Sequence, residues 1–340
     1  MAYRLVRRLS YRFAPNHTSR YDRLLMKAFF SITKWLVGGM LLLVTLLIAG
    51  SSINHRLQTP REEAAYPPPG QLVPVNGHRL HVYAEGAGDL TLVFLSGSGT
   101  TAPTLDFRGL YRRLSDAYRT VVVERAGYGW SEDSDAPRDI DTVLNETRRA
   151  LELAGESPPY VLLPHSMSGL EALHWANRYP DEVAAIIGLD PATPPIYELM
   201  PPPRLMLTLV AFTARTGLLR LAPFICHEAA AVNHLTAAET TVYCSIMYRR
   251  TLTADMLAET EVTQANAQLV AAEGIPDVPF FFFISNGEGL PMDNWVDVLV
   301  AYAEAAGGQY EMLNVGHYVH NEAADLIAEG SRRFLQHVER

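Results

Sequence analysis

Cysteine, long apolar runs and charge are all scarce in this 340-residue chain, and each scarcity removes a class of protein. Two cysteines exclude a disulfide scaffold. A single long apolar run, residues 35–53, excludes a polytopic membrane protein. Charged residues make up 19% against 48% apolar, so the chain is neither disordered nor short of material for a core. There is no internal repeat and no G-x-x-x-x-G-K phosphate cradle. His227 and His234, seven apart, do not make the H-E-x-x-H metal pattern. The length suits two domains, or one large domain with an insertion.

The net charge of −9 conceals an asymmetry. Arg4, Arg7, Arg8, Arg12, Arg20, Arg23, Lys27 and Lys34 oppose only Asp22, so the first 34 residues carry +7 and the remaining 306 carry −16. An acidic body argues against nucleic acid as a partner. The basic head instead precedes the apolar run. As a helix that run spans ~28 Å at ~1.5 Å per residue, close to the ~30 Å hydrocarbon thickness. Trp35 suits the interface. Only Arg56 and Arg61 follow closely on the other side. The positive-inside rule therefore predicts a basic cytoplasmic segment (1–34), a transmembrane helix (35–53) and an extracytoplasmic body. Two readings compete with this anchor: a signal peptide cleaved near Ala49 and Ser51, and a buried helix of a soluble protein. A 34-residue head is long for the first, and a helix apolar on all faces is unusual for the second.

Residues 54–71, with Pro67, Pro68 and Pro69 in a row, read as an extended linker. Asn76-Gly77 between two strand-like runs is a hairpin signal. Continuous apolar runs then end at residues 95, 124, 163 and 189, alternating with helical segments, the clearest being 140–154 with Gly155 as its stop. The strand signal returns at 280–284 (FFFFI). A helix over 293–306, a strand over 310–313 and a helix from about 321 follow. This order predicts a mostly parallel sheet with helices on both faces. Residues 191–278 are proline-rich, then helical, without a clear strand: an insertion at the carboxyl edge of the sheet, where ligands bind.

Three strand ends carry chemistry. Pro164-His165-Ser166-Met167-Ser168-Gly169 lies between a strand and a helix, and a serine on such a tight turn projects its hydroxyl above the sheet. His317, in Gly316-His317-Tyr318-Val319-His320 after the last strand, is a candidate general base. Glu288, in Ser285-Asn286-Gly287-Glu288 after FFFFI, is a candidate for holding the imidazole. His165 and His320 read as structural neighbours.

With these segments in place, the chain resembles the α/β-hydrolase superfamily over roughly residues 72–338. Glu124-Arg125-Ala126-Gly127-Tyr128-Gly129-Trp130-Ser131 is similar to the family's D-x-x-G-x-G-x-S loop, with Glu for Asp. Ser96-Gly97-Ser98-Gly99 resembles its H-G-x oxyanion loop, with Ser96 in place of His. The Ser166 turn resembles its nucleophile elbow, with Pro164 and Ser168 where glycines are usual. The resemblance implies a core (72–190 and 279–340) and a helical cap (191–278). It implies Ser166 as nucleophile, His317 as base, and the backbone N–H groups of Met167 and Ser98 as oxyanion hole. The acid is Glu288 by first choice and Asp190, closing the preceding strand, by second, with Asp293 behind both.

The expected protein is a membrane-anchored serine hydrolase. It cleaves an ester, thioester or amide acyl substrate through an acyl-enzyme and implies no cofactor. Trp130, Tyr197, Met206 and Phe212 are candidate walls of an apolar pocket. A proline-iminopeptidase-like aminopeptidase is the alternative enzyme, drawing on Glu228, Glu239, Asp255, Glu259 and Glu261 to bind an amine. A non-catalytic binding protein that kept the fold is the alternative from another class. Cys226 and Cys244 both lie in the insertion, and the sequence leaves their pairing open.

Overall fold

A computed structural model describes residues 20–199 and 203–338. Arg4, Arg7, Arg8 and Arg12 of the basic head lie outside the described residues. The chain divides into two units, Met1–Gly50 and Ser51–Arg340. The described part of the first is residues 20–50 of helix α1 (Arg20–Ala65). Leu24–Ala65 is long and apolar enough to cross a membrane, and its apolar residues are exposed in the structure.

The second unit is built on eight strands: β1 (Gln71–Val75), β2 (His78–Glu85), β3 (Thr91–Leu95), β4 (Arg119–Glu124), β5 (Tyr160–Ser166), β6 (Val183–Pro191), β7 (Phe280–Ile284) and β8 (Gln309–Met312). Their order across the sheet is β1-β2-β4-β3-β5-β6-β7-β8. β2 runs antiparallel to β1 and β4, and every pairing from β4 to β8 is parallel. Asn76 and Gly77, both at positive φ, turn the β1–β2 hairpin as expected.

Helices α2 (Pro103–Asp106), α3 (Arg108–Leu114), α4 (Ile140–Ala154) and α5 (Ser168–Arg178) connect the central strands. Asp139 caps α4 by accepting from the Thr142 amide at 3.0 Å, and Gly155 ends it in the left-handed region. The FFFFI run reports why the strands read as continuous apolar stretches. Phe280 and Phe282 enter the core layer with Leu144, Leu173 and Leu299, while Phe281 and Phe283 enter the opposite layer with Phe94, Phe107 and Leu335. Each buried phenyl contributes about 1.5–3 kcal/mol of transfer free energy.

Between β6 and β7 stand α6 (Pro194–Leu199), α7 (Arg204–Arg215), a short 3-10 turn (Leu218–Leu221), α8 (Pro223–Val232), α9 (Ala237–Arg250) and α10 (Ala254–Glu273). After β7 come α11 (Trp295–Ala305), α12 (Val319–Glu322) and α13 (Ala324–Val338). Cys226 of α8 and Cys244 of α9 form a disulfide across the insertion.

The expected linker is not extended. The helix runs through Pro60 to Ala65, and only residues 66–70 leave it before β1. Side chains from the insertion hold the turns around Pro60. Arg220 pairs with Glu62 at 2.6 and 2.7 Å and donates to His55 Nδ1 at 3.0 Å, while Arg249 reaches Glu63 at 3.0 Å. The three consecutive prolines fall just past the last helical turn, where they break no helix.

Candidate active site

The parallel strands bring the expected residues to one edge of the sheet. Ser166 ends β5 at φ 54°, a left-handed conformation that non-glycine residues seldom adopt, and its side chain is partly accessible. The surrounding contacts fix this strained turn. Ser168 Oγ donates to Leu95 O at 2.7 Å and to His165 O at 2.9 Å, which gives the serine at that position a use a glycine would not have. Gly169 must stay glycine, because a Cβ there would strike the carbonyl of Ala192, just past the end of β6.

His317 follows β8, and its Nδ1 lies 2.6 Å from Asp190 Oδ2. Asp190, fully buried at the end of β6 and at φ 50°, also accepts from the Ser285 amide at 2.9 Å and from Trp295 Nε1 at 3.1 Å. Glu288, the first choice for the acid, does not fill this place. It sits exposed on a turn between Gly287 and Gly289, its amide bonded to Asn286 Oδ1, and Asp293 is exposed too. The segment after β7 instead supplies a donor, the Ser285 amide, to the aspartate from the neighbouring strand.

His165 ties the histidine loop to the elbow. Its Nε2 donates to the His317 carbonyl at 3.2 Å, and the two rings are 4.7 Å apart. Burial, with His320 and His317 beside it, pushes the His165 pKa well below its ordinary value, so the ring is neutral. His320 is fully buried and bonded through Nε2 to Asp106 at 2.9 Å, in keeping with a structural part.

The loop after β3 lies directly on the elbow: a Cβ on Gly97 would come within 2.9 Å of Ser166 Cβ and of His165 Nδ1. Among the described residues the amides of Ser98 and Met167 donate no hydrogen bond. Sequence reasoning missed what orients this loop. Arg125, buried behind it, donates to Ser96 O at 2.8 Å and Gly97 O at 3.3 Å, drawing the carbonyls away from Ser166. Arg125 is paired in turn with Glu171 and Glu259, each at 3.6 Å, and Tyr128 OH donates to Glu259 at 2.7 Å. Burial raises the pKa of both glutamates against the pull of the arginine. The arginine stands in an unspecified position of the motif, so only its burial reveals it. Glu124, where the family carries Asp, ties the loop after β4 to α2 by accepting from the Trp130 and Thr104 amides at 2.7 and 3.1 Å.

Of the candidate pocket walls, Trp130 is buried and Tyr197 half-buried, while Met206 and Phe212 face outward. A cavity of about 330 Å³ opens beside the site, lined by Gly99, Thr100, Tyr243, Met247 and Tyr318, and flanked on α8 by Ala229 and Val232. Among the described residues, the one group spaced for a metal is Cys226, His227 and Cys244, and its two sulfurs are bonded to each other.

A doubly covered sheet of this order, with a strained serine at the end of β5 and a histidine–aspartate pair beside it, defines a class. The chain belongs to the α/β-hydrolase family, whose model matches residues 92–329. It is 39% identical over 236 residues to the uncharacterised protein YbdG of Bacillus subtilis, covering 68% of this chain and 73% of that one. It is 26% identical over 111 residues to 2-(acetamidomethylene)succinate hydrolase of Mesorhizobium japonicum, 33% of this chain and 38% of that one. An epoxide hydrolase of Bacillus megaterium, solved with an inhibitor, superposes with a TM-score of 0.61 at 18% identity over 78% of this chain and all of its own, a likeness of fold. Its relatives with assigned activities include hydrolases of this fold.

Proposed function

We propose that this chain is a serine hydrolase anchored to a membrane by α1, cleaving an acyl ester, thioester or amide. One observation supports the reading above the others: His317 Nδ1 is held 2.6 Å from buried Asp190 beside a serine at φ 54°. With Nδ1–H donating to Asp190, Nε2 is the free acceptor and takes the Ser166 proton as Oγ attacks the carbonyl carbon. The oxyanion that forms is received by the unengaged amides of Met167 and Ser98, assisted by the N-terminus of α5. The imidazolium, stabilised by Asp190, returns the proton to the leaving group as the carbon–leaving-group bond breaks. Water, activated by the same nitrogen, then releases the acid from Ser166. Asp190 in place of Glu288 is part of this proposal.

The helical insertion acts as the cap, and the 330 Å³ cavity suits the acyl portion of a small substrate. The disulfide supports an extracytoplasmic body, the topology expected of the basic head. Amine recognition finds little support. Glu239 is committed to Thr236 and Arg108, Asp255 and Glu259 to the buried arginines, and Glu261 to Arg204, while among the described residues Glu228 stands alone and exposed on α8.

The test is fluorophosphonate labelling of the full-length protein beside Ser166→Ala and His317→Ala. Labelling of the wild type that vanishes in Ser166→Ala and falls by about 10³-fold or more in His317→Ala is expected. A folded wild type that takes no probe, or a serine variant that labels equally, overturns the reading.

A further inference from the structure

We infer that the outer face of the insertion, formed by α7 and α8, docks on a lipid bilayer and that the acyl substrate enters the site from that bilayer. The docking rests on the membrane-anchor part of the reading above, and the substrate on its hydrolase part. Among the described residues beyond Leu57, fifteen large hydrophobic side chains are exposed, and nine of them fall between residues 205 and 232. Leu205, Met206, Leu209 and Phe212 stand out from α7, and Phe224 and Ile225 from α8; Leu205 is 74% exposed and Phe224 61%. A surface helix facing water carries polar side chains there. α7 has no charge between Arg204 and Arg215, and both arginines are exposed. An apolar face ended by arginines whose stems can lie along it is the pattern of a helix in a membrane interface.

Continuity with α1 selects the bilayer over other occupants. The turn that ends α7 is fastened to the helix where its apolar run ends. Gly217, at φ 72°, lies so close that a Cβ would come within 2.5 Å of His55 Cβ and 2.9 Å of Ser51 O. Ser52 Oγ donates to Thr216 O at 3.3 Å. Residues 51–53 are the last of the uncharged run, so wherever that run leaves hydrocarbon, the end of α7 leaves with it. The same face leads inward: Ala229 and Val232 of α8 line the cavity that reaches Gly99 and Tyr318, the chain neighbours of Ser98 and His317. One helix thus joins the apolar surface to the site.

The test uses the full chain reconstituted in phosphatidylcholine–phosphatidylglycerol vesicles and recovered by flotation. Cys226 and Cys244 are paired, so a single new thiol labels alone. An environment-sensitive nitrobenzoxadiazole is attached to Leu209→Cys, and for comparison to Asp89→Cys in the exposed loop before β3, at the opposite edge of the sheet. With spin-labelled lipid, the 209 probe is expected to lose about half of its emission or more, as a side chain buried in the interface would, and the 89 probe to be unchanged. An unquenched 209 probe in floated protein overturns the docking. So does a probe shielded from aqueous iodide but not quenched by lipid, which would assign the face to a second copy or another protein.

The double variant Leu205→Glu/Leu209→Glu tests the substrate route. Turnover of a long-chain ester held in vesicles should fall about tenfold or more, from the lost burial of two leucines, with a water-soluble short-chain ester turned over as before. Equal effects on both esters overturn the route. Quenching at 209 in a protein that takes no fluorophosphonate would support the docking while sinking the hydrolase reading and the substrate route with it.

Discussion

Two histidines meet fully buried carboxylates at the same edge of the sheet, and they end in opposite states. His81 Nδ1 lies 2.9 Å from Glu124 at the end of β4, and His317 Nδ1 lies 2.6 Å from Asp190 at the end of β6. Both carboxylates also accept backbone N–H groups. The difference is the second nitrogen. His81 is fully buried, and its Nε2 accepts from the Gly70 amide at 3.0 Å, so both ring nitrogens are committed. The His317 side chain is 17% exposed, and among the described residues nothing engages its Nε2. A carboxylate–histidine pair therefore defines a proton carrier only where the far nitrogen is left open to a reacting atom. The first pair fastens a loop, and the second is free to act.

The sharpest way to break this comparison is to spoil the open pair without moving it. Asp190→Asn keeps the acceptor for Ser285 but presents its amide nitrogen to His317 and Trp295 in place of Oδ2, disfavouring the tautomer with a free Nε2. Fluorophosphonate labelling should slow by about 10⁴-fold, with the fold intact by circular dichroism. Glu288→Gln in parallel should leave labelling within about twofold, as an exposed substitution away from the site would. A reversal of these two results would return the acid to the β7 loop.

The closed pair should fail in the other direction. Glu124→Ala strands His81, Thr104 and the Trp130 amide, all buried or bonded at the carboxylate, and should cost about 3–5 kcal/mol of stability by denaturant unfolding. Burial alone would raise the Glu124 pKa, but His81 and the amides of Trp130 and Thr104 outweigh it and hold it below its ordinary value. A depressed carboxyl contributes stability that is present above the unfolded-state pKa and is lost as pH falls through the folded-state value. Wild-type protein should thus carry an acid-unfolding component that Glu124→Gln lacks, read as a shallower fall in Tm under acid.

Much of this was legible in the sequence, and the exceptions share a cause. Alternating apolar strands and helices announced the doubly covered sheet, and the four motifs placed Ser166, His317, the Gly97 loop and the Glu124 loop at strand ends. Which carboxylate stands against His317 was not legible, because Asp190 and Glu288 both come at the ends of apolar runs and both precede His317. What separates them is the φ of 50° at Asp190 and two donors far along the chain, Ser285 and Trp295. The helical course of residues 54–65 was hidden for the same reason: Arg220 and Arg249, more than 150 residues away, hold those turns. Local pattern carries the backbone, whereas long-range partners decide which of two similar side chains is used.

His165 offers the finest test, since it stands between the two kinds of pair: buried like His81, yet bonded to the backbone of the open one. Its ring has no carboxylate, and burial with two neighbouring histidines lowers its pKa well below the ordinary 6.5. The sign follows from which state takes the proton. As pH falls below 6.5 the unfolded chain protonates this ring while the folded protein resists, so stability declines, by at most about 1.4 kcal/mol per pH unit from this one group. His165→Asn removes the titration and should flatten the Tm profile between about pH 6.5 and 5. The asparagine is shorter and gives up the bond to the His317 carbonyl, so labelling should slow by only about tenfold, a misplacement of the base and not a loss of its proton chemistry. If the profile flattens while labelling is untouched, His165 serves the core alone. If labelling collapses as far as in His317→Ala, His165 takes part in the proton path, and the line drawn between closed and open pairs would have to move.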